Sequence, residues 1–306
     1  MEERCLASTE SIQRNLNEQG IICKQNEPLA QYTTFKIGGE AKLFCIPATQ
    51  QQLVNTIKEL HQSGMRYYLL GNGSNVLFSD KGFDGAIIHL GKSLGAISVK
   101  GNTITTQTGA LMGRLSQAAA QNGLAGLEFA AGIPGSVGGG IYMNAGAYGG
   151  EISDVLKQVT FLDETDAVRT LSADQLEFGY RTSAFAHYPW CILEAEFVLT
   201  SGNKEEITAK MRDFMHRRKE KQPLEWPSAG SAFKRPQGAF AAALIEQCGL
   251  KGYRVGGAAV SEKHSGFVVN LGGATCADVL QLTEDVARIV QQRTGYQLER
   301  EVRVIE

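Results

Sequence analysis

Long hydrophobic runs are missing from this chain. No stretch approaches the roughly 20 apolar residues needed to cross a bilayer, and the first thirty residues, MEERCLASTESIQRNLNEQGIICKQNEPLA, hold no apolar segment of the kind that makes a secretory signal. Membrane insertion is therefore not expected, and a cytoplasmic location is. An excess of either charge is missing too. The 30 Lys and Arg against 32 Asp and Glu leave a formal net charge of -2, which offers no bulk attraction to nucleic acid, so any anion must be met locally. Metal-ligand spacings are absent. Cys5, Cys23, Cys45, Cys191, Cys248 and Cys276 form no CxxC pair, and the five histidines form no HExxH. These absences argue against structural zinc, a disulfide scaffold and a His-built metal centre. Most of the cysteines are expected to be small core residues. What remains is a chain of 306 residues, 43% hydrophobic and 20% charged, soluble in character and long enough for two or three domains.

Glycine, by contrast, is concentrated. GIPGSVGGGIYMNAGAYGG, residues 132–150, places eight glycines in nineteen positions and interleaves them with Ile133, Pro134, Val137, Ile141, Tyr142, Met143 and Tyr148. Flexible linkers lack such apolar anchors, so the stretch is expected to be ordered. Three readings stand: a packed sheet corner, a loop cradling a phosphate or a ring system, or a mobile lid. A second glycine-containing stretch, LLGNGSNVLF, ends a short apolar run with close-set backbone N–H groups, a hydroxyl and two amides. It reads either as a β-turn, which Asn-Gly favours, or as a wrap for a diphosphate made without a cationic side chain. It is neither a Walker loop nor a Rossmann GxGxxG. Two such loops about sixty residues apart could hold two sides of one long dinucleotide such as FAD.

Periodicity predicts mixed α and β elements. TQQQLVNTIKELHQSG reads as a helix capped by Thr49, carrying Leu53, Ile57 and Leu60 on one face and ended by Gly64. GALMGRLSQAAAQNG reads as a helix with Leu111, Leu115 and Ala119 on its apolar face, and NKEEITAKMRDFMHRRKEK as a charged helix with Ile207, Met211 and Phe214. AFAAALIEQCG and TCADVLQLTEDVARIVQQRTG are two more, the second opening with a capping-box pair, Thr275 and Asp278. Residues 67–70, IIHL, TITTQ, VTFL, CILEAEFVLT and GFVVN read as strands. Pro223 prevents simple continuation of the charged helix, placing a boundary there between a larger β-rich part and a C-terminal α+β unit.

The series YTTFKIGG, LLGNGSNVLF, EFAAGIPGSVGGGIYMNAGAYGGEISD, FGYRTSAF, RRKEKQP, AGSAFKRP, VSEKHSGFVVN and LEREVRVIE, in this order over nearly the whole chain, closely resembles the UDP-N-acetylenolpyruvoylglucosamine reductase (MurB) family. The resemblance implies a cytoplasmic enzyme of peptidoglycan precursor synthesis that uses FAD and NADPH. It implies an α+β fold with a two-part FAD-binding region of the vanillyl-alcohol-oxidase (PCMH) type, residues 1–98 and 99–220, and a C-terminal substrate domain, residues 221–306. It assigns Gly71, Asn72, Gly73, Ser74, Asn75 and Val76 to FAD, with Gly132, Ile133, Pro134, Gly135 and Ser136 on a second side and Gly109 and Ala110 lining the flavin. Several covalent flavoproteins of that fold carry a histidine where this chain has Ser74 and Asn75, so the FAD is expected to be noncovalent. No metal is implied, and the partners are small molecules, a UDP-sugar and NADPH.

The implied reaction adds a hydride to the methylene carbon of an enolpyruvyl ether, after which the neighbouring carbon bears charge and must receive a proton. Arg181 matches the family's catalytic arginine, able to meet the carboxylate with a fixed fork of donors. Ser231 matches its proton donor, useful only toward a strongly basic carbon and helped by cations such as Lys234. Glu301 matches its glutamate, either stabilising a protonated enol or orienting the acid. Outside the motifs these would be a surface ion-pair residue, a turn cap after Gly230 and a solvated charge. Lys219, Lys234 and Arg303 are implied ligands for the substrate's anionic groups, with Asn270 and Tyr148 as weaker candidates, while His264 reads as structural. Arg235 stands where many relatives have an asparagine, which alters a local substrate contact. The short span between Lys234 and Glu301 suggests the compact branch of the family, without an inserted closing loop. A flavin oxidase or dehydrogenase acting on an alcohol or sugar, and a nucleotide-sugar binding protein without turnover, are the competing readings.

Overall fold

The computed structural model describes residues 8–306, so Cys5 lies outside the described residues. Contacts divide the chain into two compact units: Met1–Gln25, Leu43–Asn72 and Gly85–Arg217 form the first, and Asn26–Lys42, Gly73–Asp84 and Arg218–Glu306 the second. Secondary structure is mixed α and β in both, as expected.

In the first unit the helix Gln50–Ser63 begins where the Thr49 hydroxyl accepts from the Gln52 N–H and ends at Gly64, which adopts φ 69°. Its buried Leu53, Ile57 and Leu60 share a cluster with Ile12 and Leu16 of the helix Thr9–Glu18 and with Leu43, Cys45, Ala86 and Ile88. Beside this layer, Tyr67–Leu70 pairs in parallel with the stretch from Ala86 to His89. The rest of the unit is a five-stranded antiparallel sheet in the order Val168–Ser172, Leu156–Leu162, Cys191–Val198, Thr103–Gln107, Ile97–Lys100. The helices Met112–Gln121 and Val137–Tyr142 cover it, burying Leu115, Val137 and Ile141 against Val159, Phe161 and Phe197. One expectation shifts: Leu111 is not on the helix face. Its backbone is extended because it bridges Ser136, and Met112 takes the first buried position.

The second unit carries an antiparallel sheet in the order Ser228–Ser231, Phe267–Asn270, Ala258–Val260, Arg254–Val255, packed against the helices Ala241–Gln247 and Cys276–Thr294. The C-terminal region does not close this core alone. Phe35, Ile37 and Leu77 are buried in it with Leu244, Val260, Val268, Leu282, Val286 and Val290, and Arg303–Ile305 pairs in parallel with Val76–Phe78. The Thr275–Asp278 capping box forms as expected, and Asp80 adds a second cap, accepting from the N–H groups of Cys276 at 2.7 Å and Ala277 at 3.0 Å. The five described cysteines are all buried and free of disulfides, with the Cys23 thiol donating to Cys45 Sγ at 3.3 Å. No helix of the described residues is long and apolar enough to cross a membrane.

Candidate active site

Three of the segments assigned to FAD meet within the first unit. Val137 N–H donates to Ala110 O at 2.7 Å and Met112 N–H to Gly135 O at 3.0 Å, while the Asn72 amide donates to Pro134 O. The result is a ledge of small residues and main chain in which Asn72 and Pro134 are exposed. A Cβ at Gly71 would overlap the Ser136 hydroxyl, which is itself committed as the cap accepting from Gly139 N–H.

Most glycines of residues 132–150 face the protein's own atoms. A Cβ at Gly138 would overlap Thr108 Oγ1, at Gly140 it would meet Met112 Sδ at 2.9 Å, and at Gly150 it would meet Phe129 Cδ1 at 2.8 Å. The first two let a short helix, Val137–Tyr142, pack tightly, and the third lets the hairpin that follows lie against Phe129, so the packed-corner reading explains them. A cradling role is left to the segment before that helix. Gly73 behaves similarly: it has φ 61°, and its Cβ would lie 2.8 Å from Thr33 Cα, a close approach within the second unit.

Arg181 sits at the tip of a tight turn in the first unit, where Gly179 and Thr182 exchange backbone hydrogen bonds of 3.1 and 3.3 Å. Its φ is 58°, a conformation that Gly or Asn adopts easily and other L-residues adopt at a cost. One guanidinium nitrogen reaches Gly146 O at 3.5 Å. Tyr148 is also left-handed, at φ 54°, because it and Gly149 form the two-residue loop of a hairpin pairing Ala147 with Gly150. Its ring stacks on Phe214 at 4.4 Å and its hydroxyl donates to Phe214 O at 3.1 Å.

In the second unit, backbone bonds bring further candidate residues together. Ser231 ends its strand opposite Phe267; Glu301 N–H donates to Ala232 O at 2.9 Å, and Lys234 N–H to Glu299 O at 2.9 Å. Asn75 joins the same group, its amide donating to Glu301 O at 3.3 Å and its carbonyl accepting from Arg303 N–H at 3.1 Å. Ser231 Oγ has no hydrogen-bond partner among the described residues, so the hydroxyl caps nothing.

The cations differ. Lys219 is exposed and makes no ion pair among the described residues, whereas Lys234 is paired with Glu299. Help from Lys234 to Ser231 would require that pair to open. Arg235 lays its guanidinium over the Phe240 ring, 4.5 Å from the centroid. Asn270 is buried with both ends of its amide engaged: Nδ2 donates to Phe35 O at 3.1 Å, and Oδ1 accepts from Gly272 and Ala274 N–H at 2.9 and 3.2 Å. That is a structural task. His264 has one too, its Nδ1 accepting from Gly266 N–H at 3.1 Å, with burial lowering its pKa.

Residues 41–172 match the model of an FAD binding domain. Residues 222–305 match that of the UDP-N-acetylenolpyruvoylglucosamine reductase C-terminal domain. UDP-N-acetylenolpyruvoylglucosamine reductase of Clostridium perfringens is 46% identical over 289 residues, 94% of each chain. That of Caldanaerobacter subterraneus is 46% identical over 280 residues, 92% of each. The chain belongs to the UDP-N-acetylenolpyruvoylglucosamine reductase family. The crystal structure of the Thermus caldophilus reductase superimposes with a TM-score of 0.79 at 36% identity, covering 94% of this chain and 99% of that one. The α+β fold with a PCMH-type FAD-binding region follows.

The residues present fit such a cofactor. The thirteen assigned positions carry no charged side chain. They offer main-chain N–H groups and small polar side chains, the chemistry that suits a diphosphate, together with glycines and alanines that add little bulk. Sequence reading missed two residues that each brace candidate residues within their own unit. Thr34 donates its hydroxyl to Ser228 O at 2.6 Å and its N–H to Gly73 O at 3.1 Å, tying the 73–76 loop to the strand of Ser231. Asn144 is the other. The motifs YTTF and MNAGAYG contain both residues, but a side-chain bond to a distant carbonyl leaves no local pattern.

Proposed function

We infer that the protein reduces the enolpyruvyl ether of UDP-N-acetylglucosamine to UDP-N-acetylmuramate, with FAD as noncovalent cofactor and NADPH as reductant, in the cytoplasmic synthesis of peptidoglycan precursors. The observation that carries this reading is the pair of family matches in one chain that is 46% identical to a named reductase over 94% of its length. FAD, when bound, supplies the hydride that originates in NADPH. For it we assign the main chain and small side chains of residues 71–76, 109–110 and 132–136. The functional partition we propose is 1–98 and 99–220 for the cofactor and 221–306 for the substrate; the match beginning at residue 222 supports the last boundary.

The chain's own residues then divide the work. Arg181 spends a left-handed backbone position on a side chain rather than a glycine, which supports a functional reading of its guanidinium: a planar fork of donors that neutralises the substrate carboxylate as charge spreads into it. Ser231 offers a hydroxyl proton not committed to any acceptor among the described residues, as delivery to carbon requires. Glu301 is held one hydrogen-bonded residue away, through Ala232, where its carboxyl can orient that proton or stabilise the protonated enol. Lys219 and Arg303 meet the substrate's anionic groups, with Lys234 joining when released from Glu299; Arg235 and Tyr148 are also assigned to the substrate.

The test is spectroscopic. Purified protein should carry flavin absorbance, lose it anaerobically on adding NADPH, and regain it on adding the enolpyruvyl UDP-sugar. Reduction of the flavin by an alcohol or sugar without NADPH, or failure of the UDP-sugar to restore the colour, would overturn the reading.

A further inference from the structure

Three of the seven non-glycine residues at positive φ among the described residues, Asn144 (42°), Tyr148 (54°) and Arg181 (58°), fall in three turns of the first unit that are tied together by the bonds from Asn144 Nδ2 to Gly179 O and from the Arg181 guanidinium to Gly146 O. Left-handed L-residues in this number at one place mark a region whose conformation is imposed by its surroundings. The hairpin explains Tyr148. Arg181 needs another support, because the turn that carries it has Tyr180 exposed at its tip and only two backbone bonds of its own, between Gly179 and Thr182.

That support comes from two residues at and just beyond the end of the helix Val137–Tyr142. The Ser183 hydroxyl donates to Tyr142 O at 2.9 Å, holding the arm after the turn. Asn144 Nδ2 donates to Gly179 O at 3.2 Å, holding the arm before it. Asn144 is 2% exposed, and its Oδ1 accepts from Ser153 N–H at 3.1 Å, so the amide cannot flip without losing both bonds. Gly179 O is the carbonyl that accepts from Thr182 N–H; shifting it rotates the whole turn and with it the guanidinium. Asparagine suits the task because it tolerates the left-handed backbone and carries both a donor and an acceptor.

We propose that Asn144 is a positioning residue for this reaction: its amide, clamped between Ser153 N–H and Gly179 O, sets where the Arg181 guanidinium stands. The inference rests on the reading of Arg181 as the group that meets the substrate carboxylate. Its effect is therefore confined to the step in which the enolpyruvyl sugar is reduced, and is absent from the step in which NADPH is consumed.

Two variants separate the hydrogen bond from the backbone. Asn144→Asp keeps an acceptor for Ser153 but sets an oxygen against Gly179 O; Asn144→Gly keeps the left-handed backbone and deletes the amide. In FAD-loaded protein both should slow the substrate half-reaction by about tenfold or more, since a misplacement near 1 Å has effects of that size or larger, and leave the NADPH half-reaction within about twofold. Trypsin should cleave the bond between Arg181 and Thr182 faster in both variants. In an Arg181→Ala background neither variant should slow the substrate step further, because the side chain it positions is gone. Slowing that multiplies with that of Arg181→Ala, equal slowing of both half-reactions, or an unchanged substrate step overturns the role of Asn144 alone. A full-rate substrate step in Arg181→Ala itself overturns the reading of Arg181 and this inference with it.

Discussion

Arg181 in the first unit stands on a strained turn and is held by side-chain bonds from a helix end, whereas Ser231 and Glu301 in the second unit stand on extended segments registered by main-chain hydrogen bonds. The first arrangement places a guanidinium where regular structure would not; the second aligns two side chains from distant parts of the chain with no strain. The difference predicts how each unit responds to substitution. In the second, a reactive side chain should be removable at no cost in stability. In the first, removing it should release strain.

The largest effect is expected at Ser231. Ser231→Ala should slow the substrate half-reaction by about 10² to 10⁴, the range for a positioned general acid, with the NADPH half-reaction unchanged. Because the hydroxyl has no partner among the described residues, thermal unfolding should stay within about 0.5 kcal/mol of the parent. Stopped-flow flavin absorbance and calorimetry check the two halves of this statement. A clear loss of stability would mean that the second unit holds its reactive residue through the side chain after all, and the contrast would break.

Within the second unit the two lysines sharpen the point. Lys219→Ala should weaken UDP-sugar binding by about tenfold to a hundredfold, the loss of one charge-assisted hydrogen bond. Lys234→Ala should cost less, since Glu299 already holds that ammonium, and Glu299→Gln should tighten binding. Titration calorimetry measures all three. Equal losses at the two lysines would show that the Lys234–Glu299 pair does not compete with substrate.

How much of this was legible beforehand depended on whether the determinant was local. The helix Gln50–Ser63, its Thr49 cap and Gly64 stop, and the Thr275–Asp278 box are short-range signals and formed where expected. The helix Val137–Tyr142 was not legible, because three successive glycines are poor helix formers; the Ser136 cap and packing against Thr108 and Met112 support it. Nor was the pairing of Val76–Phe78 with Arg303–Ile305, whose partners come from opposite ends of the chain. The identities of Arg181, Ser231 and Glu301 came from motif resemblance. The supports, Asn144 and Thr34, became visible only with the carbonyls they reach.

Arg181→Gly and Asp80→Ala test the contrast in stability alone, with opposite signs. Glycine removes the left-handed penalty, of roughly 1 to 2 kcal/mol, but adds unfolded-chain entropy, so a net gain of about 0.5 to 1 kcal/mol is expected beside loss of turnover. Asp80→Ala removes an acceptor for two N–H groups at the start of the helix Cys276–Thr294 and should cost about 1 kcal/mol. Chemical denaturation reads both. A destabilised Arg181→Gly would place the turn's stability in the guanidinium contact to Gly146 rather than in the clamp.

The smallest effect is one that the two units share. Each holds a histidine whose pKa burial lowers, His89 in the first and His264 in the second. Above about pH 6.5 both are neutral folded or unfolded, and their full contribution to stability is present. As pH falls below that value the unfolded chain takes up protons that the folded chain refuses, so stability declines toward the folded pKa, by no more than about 1.4 kcal/mol per pH unit for each histidine. Asp163, Asp278 and Asp285, held below the ordinary carboxylate range by hydrogen bonds, act later: their contribution is kept until pH nears about 4. Denaturant melts between pH 7 and 5 therefore isolate the histidines. His264→Asn retains an acceptor for Gly266 N–H without the titration and should flatten the decline, as should His89→Gln in the other unit. An unchanged slope in both variants would remove the buried histidines as its source.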